Sequence, residues 1–141
     1  MKKFQKICVT AFIFNDRNEV LLLKRSSKEE FLPNYWEMPG GKVEFGETPD
    51  EAIAREVFEE TNLKIKAIKP YNLFSYVSQD EMRHTVDIQY LTKPGSSLSE
   101  IEISESHTDK KWTKIKNLND LKISNLMKTS IEKGFKEINN N

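Results

Sequence analysis

Cysteine is nearly absent: Cys8 is the only one in 141 residues, so no intramolecular disulfide can form, and the chain suits a reducing compartment. Cys8 lies in an apolar run and reads as a small buried hydrophobe rather than a nucleophile. Long hydrophobic stretches are absent too. No run approaches the ~18 apolar residues a bilayer-spanning helix needs. The opening MKKFQKICVTAFIFNDRNE puts lysines ahead of apolar residues as a signal peptide does, but NDRNE interrupts at once and no small-residue cleavage site follows. A cytoplasmic protein without a membrane partner is expected. Nor is there an excess of one charge: 22 basic and 22 acidic residues cancel, so no global positive field exists to hold nucleic acid, and stable nucleic-acid binding is not expected. Any anionic ligand must be held by local groups. The two histidines, His84 and His107, lack metal-ligand spacing to cysteine or to each other and read as structural or surface residues.

A length of 141 residues with 37% hydrophobic content fits one domain, residues 1–141, with a single core. Ile7 to Phe14 and Val20 to Lys24 are β-branched and apolar runs around the polar cluster Asn15 to Glu19, which predicts a β-hairpin. A charged loop from Ser26 to Asn34 leads through Tyr35 to Met38 into Pro39-Gly40-Gly41. That sequence excludes helix and predicts a loop built for close backbone approach. Further strands are expected over Leu73 to Val77, Thr85 to Leu91 and Lys111 to Ile115, with Lys93 to Ser97 as a loop. A second helix covers about Ser124 to Ile138, and Asn139 to Asn141 should fray. This order predicts an α/β fold with a mixed sheet between helices.

Thr48 to Thr61 is the clearest helix. Thr48 serves as N-cap, Pro49 stands where its missing N–H costs nothing, and Glu51 completes a capping box. Ile53, Ala54, Val57 and Phe58 form the expected apolar stripe, with Leu63 packing back on Phe58. Glu56, Glu59 and Glu60 would share a roughly opposite face, directed to the end of the Pro-Gly-Gly loop. Like charges at this spacing cost an isolated helix roughly 0.2–0.5 kcal/mol per pair. A hard divalent cation reverses that sign, because Mg²⁺ takes oxygen ligands and completes its shell with water and substrate phosphate. A solvated acidic face is the ordinary reading of a Glu-rich helix. It leaves unexplained the sharp glycine turn, Glu47 and the capped start at fixed offsets before the carboxylates.

The run Gly41-x5-Glu47-x7-Arg55-Glu56-Val57-x-Glu59-Glu60-x-Asn62-Leu63 resembles the Nudix box, residues 41–63. It departs at Asn62, where the family has glycine; asparagine also tolerates the left-handed backbone there. The resemblance implies a Nudix-type α/β/α sandwich with a mixed central sheet. It also implies a Mg²⁺-dependent hydrolase, with Mn²⁺ as a substitute, that acts on a nucleoside diphosphate linked to another moiety. A nucleoside triphosphate such as an oxidised purine, cleaved to monophosphate and pyrophosphate, is the first substrate class; ADP-ribose or another nucleotide sugar is the second. A non-catalytic nucleotide-binding regulator is the reading from another class. By resemblance, Glu56, Glu59, Glu60 and the Gly40 carbonyl hold metal, Arg55 orients the carboxylates, and Glu47 is partly structural. The general base is a box glutamate or a later acid, Glu105 first and Asp109 second. Arg25, Gly40, Gly41 and Asn125 are candidates for substrate contact, Asn125 being equally readable as an N-cap. Phe31, Tyr35 and Trp36 are candidates for base stacking, although an aromatic near a strand is more often core. Either a monomer or a homodimer is compatible with the sequence.

Overall fold

The computed structural model describes residues 2–95 and 97–140. Among the described residues seven strands occupy Phe4–Phe12 (β1), Val20–Arg25 (β2), Trp36–Glu37 (β3), Gly40–Lys42 (β4), Ile65–Val77 (β5), Arg83–Pro94 (β6) and His107–Thr113 (β7), with helices at Pro49–Thr61 (α1) and Asn125–Asn139 (α2). A short 3₁₀ turn spans Ile115–Asp120. The larger sheet has the order β4-β1-β6-β5 and is mixed, because β1 runs parallel to β6 and antiparallel to β4. The smaller sheet, β3-β2-β7, is antiparallel.

The expected hairpin is therefore corrected. The turn at Asn15 to Glu19 reverses the chain, but only a bridge between Phe14 and Val20 and a bond from Leu21 N to Ile13 O join its arms. β1 cannot take β2 as a full neighbour because β4 and β6 already occupy its two edges. The chain passes instead into the second sheet.

Alternation along β1 and β2 creates the layers. Val9, Ala11, Ile13, Leu21 and Leu23 pack with Ala52, Ile53 and Val57 of α1. Phe12, Val20 and Leu22 pack on the other side with Ile131 and Phe135 of α2. The α2 contact is close: a Cβ on Gly134 would lie 2.3 Å from the Phe12 ring. Helices on opposite faces give the α/β/α arrangement expected.

Several boundaries differ from the sequence expectation. β5 begins at Ile65 rather than Leu73 despite Pro70, because it is an edge strand where a missing N–H can face outward. Lys93 and Pro94 remain in β6, paired with Lys66 and Ile65, so the loop starts at Gly95. β7 ends at Thr113, and Ile115 opens the 3₁₀ turn. The helix over residues 125–139 agrees with its expected span. Ser96 of the expected loop and Asn141 of the expected frayed end lie outside the described residues.

Candidate active site

The start of α1 follows the sequence closely. Thr48 Oγ1 accepts from Glu51 N, Glu51 Oε1 accepts from Thr48 N, and Pro49 occupies the first turn. At the other end Asn62 has φ 63° and donates its N–H to Phe58 O, the left-handed cap inferred for it.

The faces of α1 are not as expected. Phe58 is 46% exposed and leaves the stripe, whereas Leu63 is buried with Ile53 and Val57. Glu56 and Glu60 do not lie opposite the stripe; their side chains are only 17% and 14% exposed. Glu60 stands seven residues after Ile53, about two full turns, which puts it on the buried face. Glu59 is turned outward, 55% exposed, toward Arg55 Nη1 at 3.3 Å.

The Pro-Gly-Gly segment receives these carboxylates. Gly40 and Gly41 are strand residues of β4 rather than loop, opposite Thr10 and Val9 of β1. Close approach remains their purpose. A Cβ on Gly41 would sit 2.2 Å from Glu56 Oε2, and one on Gly40 would sit 2.1 Å from Val9 O. Ala11 N bonds Pro39 O and Val43 N bonds Ile7 O, so the alternate residue, Gly40, directs its N–H and C=O to the open edge. Its N–H donates to Glu60 Oε1 at 2.8 Å.

Arg55 gathers the remaining charges. Its Nε and Nη2 grip Glu47 at 2.7 and 2.9 Å, Nη1 donates to Glu56 at 2.8 Å, and Nη2 also reaches Lys42 O at 3.0 Å. The guanidinium holds the Glu47 carboxyl down at about 2, making Glu47 a strut for Arg55. Burial acts the other way on the inner pair. It pushes Glu60 up to about 8, with added repulsion from Glu37 and Glu56, and it raises Glu56. Among the described residues no three acidic, histidine or cysteine side chains are arranged to hold a metal ion by themselves. Two desolvated, mutually repelling carboxylates and an outward-facing carbonyl nevertheless form an oxygen donor set that fits a hard cation sharing its shell with a phosphate ligand.

A cavity of about 770 Å³ opens beside Gly40, Gly41 and Glu60. Its floor is the face of the larger sheet carrying Lys6, Cys8, Thr10, Phe74, Tyr76 and Asp87. Across it stand Arg25, Glu37 and His107, and Asn125 of α2 is at its edge. Cys8 is thus a half-buried wall residue rather than core, because it shares the cavity-facing side of β1 with Lys6 and Thr10; burial pushes its thiol up.

The other candidates separate clearly. Arg25 lines the cavity, but Nε bonds Phe31 O at 2.8 Å and Nη1 bonds Glu37 at 3.2 Å. Ser124 is the N-cap of α2, which leaves the exposed side chain of Asn125 to the cavity edge. Glu105 is exposed on the turn next to Ser104, whose N–H bonds Glu60 O at 3.1 Å. Asp109 is spent on Lys110 N outside the cavity. Phe31, Tyr35 and Trp36 all line the cavity: Trp36 does so from the edge of the core, Tyr35 lies under Lys122 Nζ at 4.6 Å, and Phe31 stacks on Tyr76 at 5.9 Å. His84 is a surface residue bonded to Gln5. His107 was missed: it is buried, 2.9 Å from Glu37 Oε2 and 3.7 Å from Glu60 Oε2. No local spacing signals it, since β2–β7 pairing brings it beside Arg25.

The NUDIX domain family matches residues 5–133, and the chain belongs to that family, in the class of Nudix hydrolases, which generally use divalent metal ions. The crystal structure of the MutT protein from Methanosarcina mazei Go1 superimposes with TM-score 0.84 at 25% identity, covering 100% of this chain and 99% of that one. In sequence the chain is 34% identical over 80 residues to 8-oxo-dGTP diphosphatase of Escherichia coli K12, covering 57% of this chain and 60% of that protein. It is 35% identical over 85 residues to ADP-ribose pyrophosphatase of Methanocaldococcus jannaschii, covering 60% and 48%. The matches span 60% and 48% of the lengths of these two curated relatives.

Proposed function

We propose that this chain hydrolyses the P–O–P linkage of a nucleoside triphosphate, releasing monophosphate and pyrophosphate with Mg²⁺ as cofactor, and that an oxidised purine nucleotide is its first candidate substrate. The observation that carries the reading is the cavity of about 770 Å³ that joins aromatic walls to Gly40, Gly41 and Glu60. A nucleoside fills such a cavity while its phosphates lie at the carboxylates. Similarity to 8-oxo-dGTP diphosphatase supports the triphosphate; similarity to ADP-ribose pyrophosphatase supports a dinucleotide-like diphosphate as the second reading.

Glu56, Glu60 and the Gly40 carbonyl would hold the cation, with Glu59 joining them by turning away from Arg55. Bound there, Mg²⁺ neutralises phosphate oxygens and makes a water more acidic. Arg55 fixes Glu56 through Nη1 while Glu47 fixes Arg55, so the carboxylate arrives oriented. Gly40 N–H orients Glu60, whose other oxygen is the one near His107. Glu60, which lines the cavity, is the first choice to take a proton from water; Glu105, exposed on the turn before the cavity-lining Ser106 and His107, is the second.

A panel of nucleoside triphosphates, ADP-ribose and nucleotide sugars with Mg²⁺ or Mn²⁺, scored for pyrophosphate against orthophosphate, tests this directly. Mg²⁺-dependent pyrophosphate release from a triphosphate is expected. Tight nucleotide binding without turnover would instead favour the regulatory-module reading.

A further inference from the structure

Asp87 lies on the cavity floor, 9% exposed, between Cys8 of β1 and Phe74 of β5 in the sheet register. Its oxygens are used unequally. Oδ1 accepts from Thr10 Oγ1 at 2.8 Å and from Gln89 Nε2 at 2.7 Å, whereas among the described residues nothing donates to Oδ2. The donors themselves are ordered. Lys133 Nζ donates to Asn72 Oδ1, Asn72 Nδ2 to Gln89 Oε1, and Gln89 Nε2 to Asp87, so a polarised chain ends on Oδ1 and strengthens it as an acceptor. Asp87 is in register with Cys8 and Gly40 with Thr10, so Asp87 lies two strand spacings across and two residues along from Gly40, about 12 Å from the carboxylate end of the cavity. That is the span of a nucleoside from its base edge to its 5′-phosphate.

We propose that Asp87 is the residue that reads the base: Oδ2 accepts from two adjacent N–H donors, the ring N1–H and exocyclic N2–H of a guanine-type edge, and selects such nucleotides over adenine-type ones. The assignment rests on the nucleoside triphosphate reading above and deepens it. Thr10 has spent its hydroxyl on Oδ1, and Gln89 its amide on Oδ1 and Asp87 O, so the donors next to Asp87 are engaged and Oδ2 is left as an acceptor. Adenine would bring the lone pair of its own ring N1 against the carboxyl. Phe74, and Phe31 stacked on Tyr76, supply flat apolar walls beside the group.

The test compares kcat/KM with Mg²⁺ for dGTP, dITP, which lacks the 2-amino group, and dATP, in the parent and in Asp87→Asn, together with calorimetric binding of dGMP, dIMP and dAMP. In the parent, losing the 2-amino donor lowers kcat/KM about tenfold, and dATP is poorer again. Asp87→Asn lowers dGTP turnover about tenfold and brings the three bases within about threefold of one another. An unchanged order of preference in the variant overturns the assignment, as does a parent that treats dGTP and dITP alike, a comparison needing no folded variant. If no triphosphate is cleaved but dGMP binds better than dIMP only when Asp87 is present, the hydrolase reading fails and the base contact stands. Neither turnover nor binding overturns both.

Discussion

Gly41 has no positive φ and no turn to make; its missing Cβ is the space the Glu56 carboxyl occupies. Gly41→Ala should leave melting nearly unchanged while displacing Glu56, lowering kcat/KM by about 100-fold as misplaced catalytic groups do. Gly40→Ala meets main chain instead and should lower the melting temperature outright; equal melting of the two variants would contradict this division. Glu60 gives a sharper test because its proton is linked to stability. Folded and metal-free, it holds a proton up to about 8, while in the unfolded chain it ionises near 4.5. Between those values the folded state binds more protons, so stability from this group is full below the lower pKa and declines as pH rises toward 8. Thermal melts without metal should show that decline in the parent and a shallower one in Glu60→Gln. A proposed Mg²⁺ ligand must be ionised, so the melting shift given by Mg²⁺ should grow with pH up to about 8 and then level. A shift that shrinks over that range would remove Glu60 from the metal site.

At the scale of elements, α1 is fixed at both ends by short-range chemistry. Asn62 at φ 63° makes Asn62→Gly nearly neutral, whereas Asn62→Ala should cost about 1 kcal/mol in denaturant unfolding, with activity retained. The caps and limits of α1 were legible because each is decided within one or two turns. The face of Glu60 was legible too, through its spacing from Ile53, but Phe58 drew the expected stripe to the wrong side. A large apolar residue near the C-terminus of α1 is half exposed because Leu63, Ile65 and Ile101 already fill the core beside it. What the sequence did not reveal lies in pairing between distant strands. The separation of β1 from β2, the β-strand state of Gly40-Gly41, and His107 beside Glu37 all depend on neighbours far along the chain.

For the whole molecule, α2 is tied to the larger sheet by Gly134 against Phe12 and by Tyr71 Oη, which donates to Ser130 O at 3.0 Å. Its first turn, with Asn125, Leu126 and Met127, borders the cavity. Gly134→Val should therefore destabilise by about 1–3 kcal/mol through overpacking and also raise KM, because the wall moves with the helix. A lower melting temperature with unchanged KM would show that the first turn of α2 does not shape the cavity. The two faces of β1 have a further consequence. In its second half Val9 and Ala11 support the helix that bears the carboxylates, and Lys6, Cys8 and Thr10 between and before them face the ligand cavity. Selection can rewrite Lys6, Cys8 or Thr10 to recognise a new molecule while Val9 and Ala11 keep the cutting machinery aligned, so a single strand lets one scaffold change its diet without relearning its chemistry.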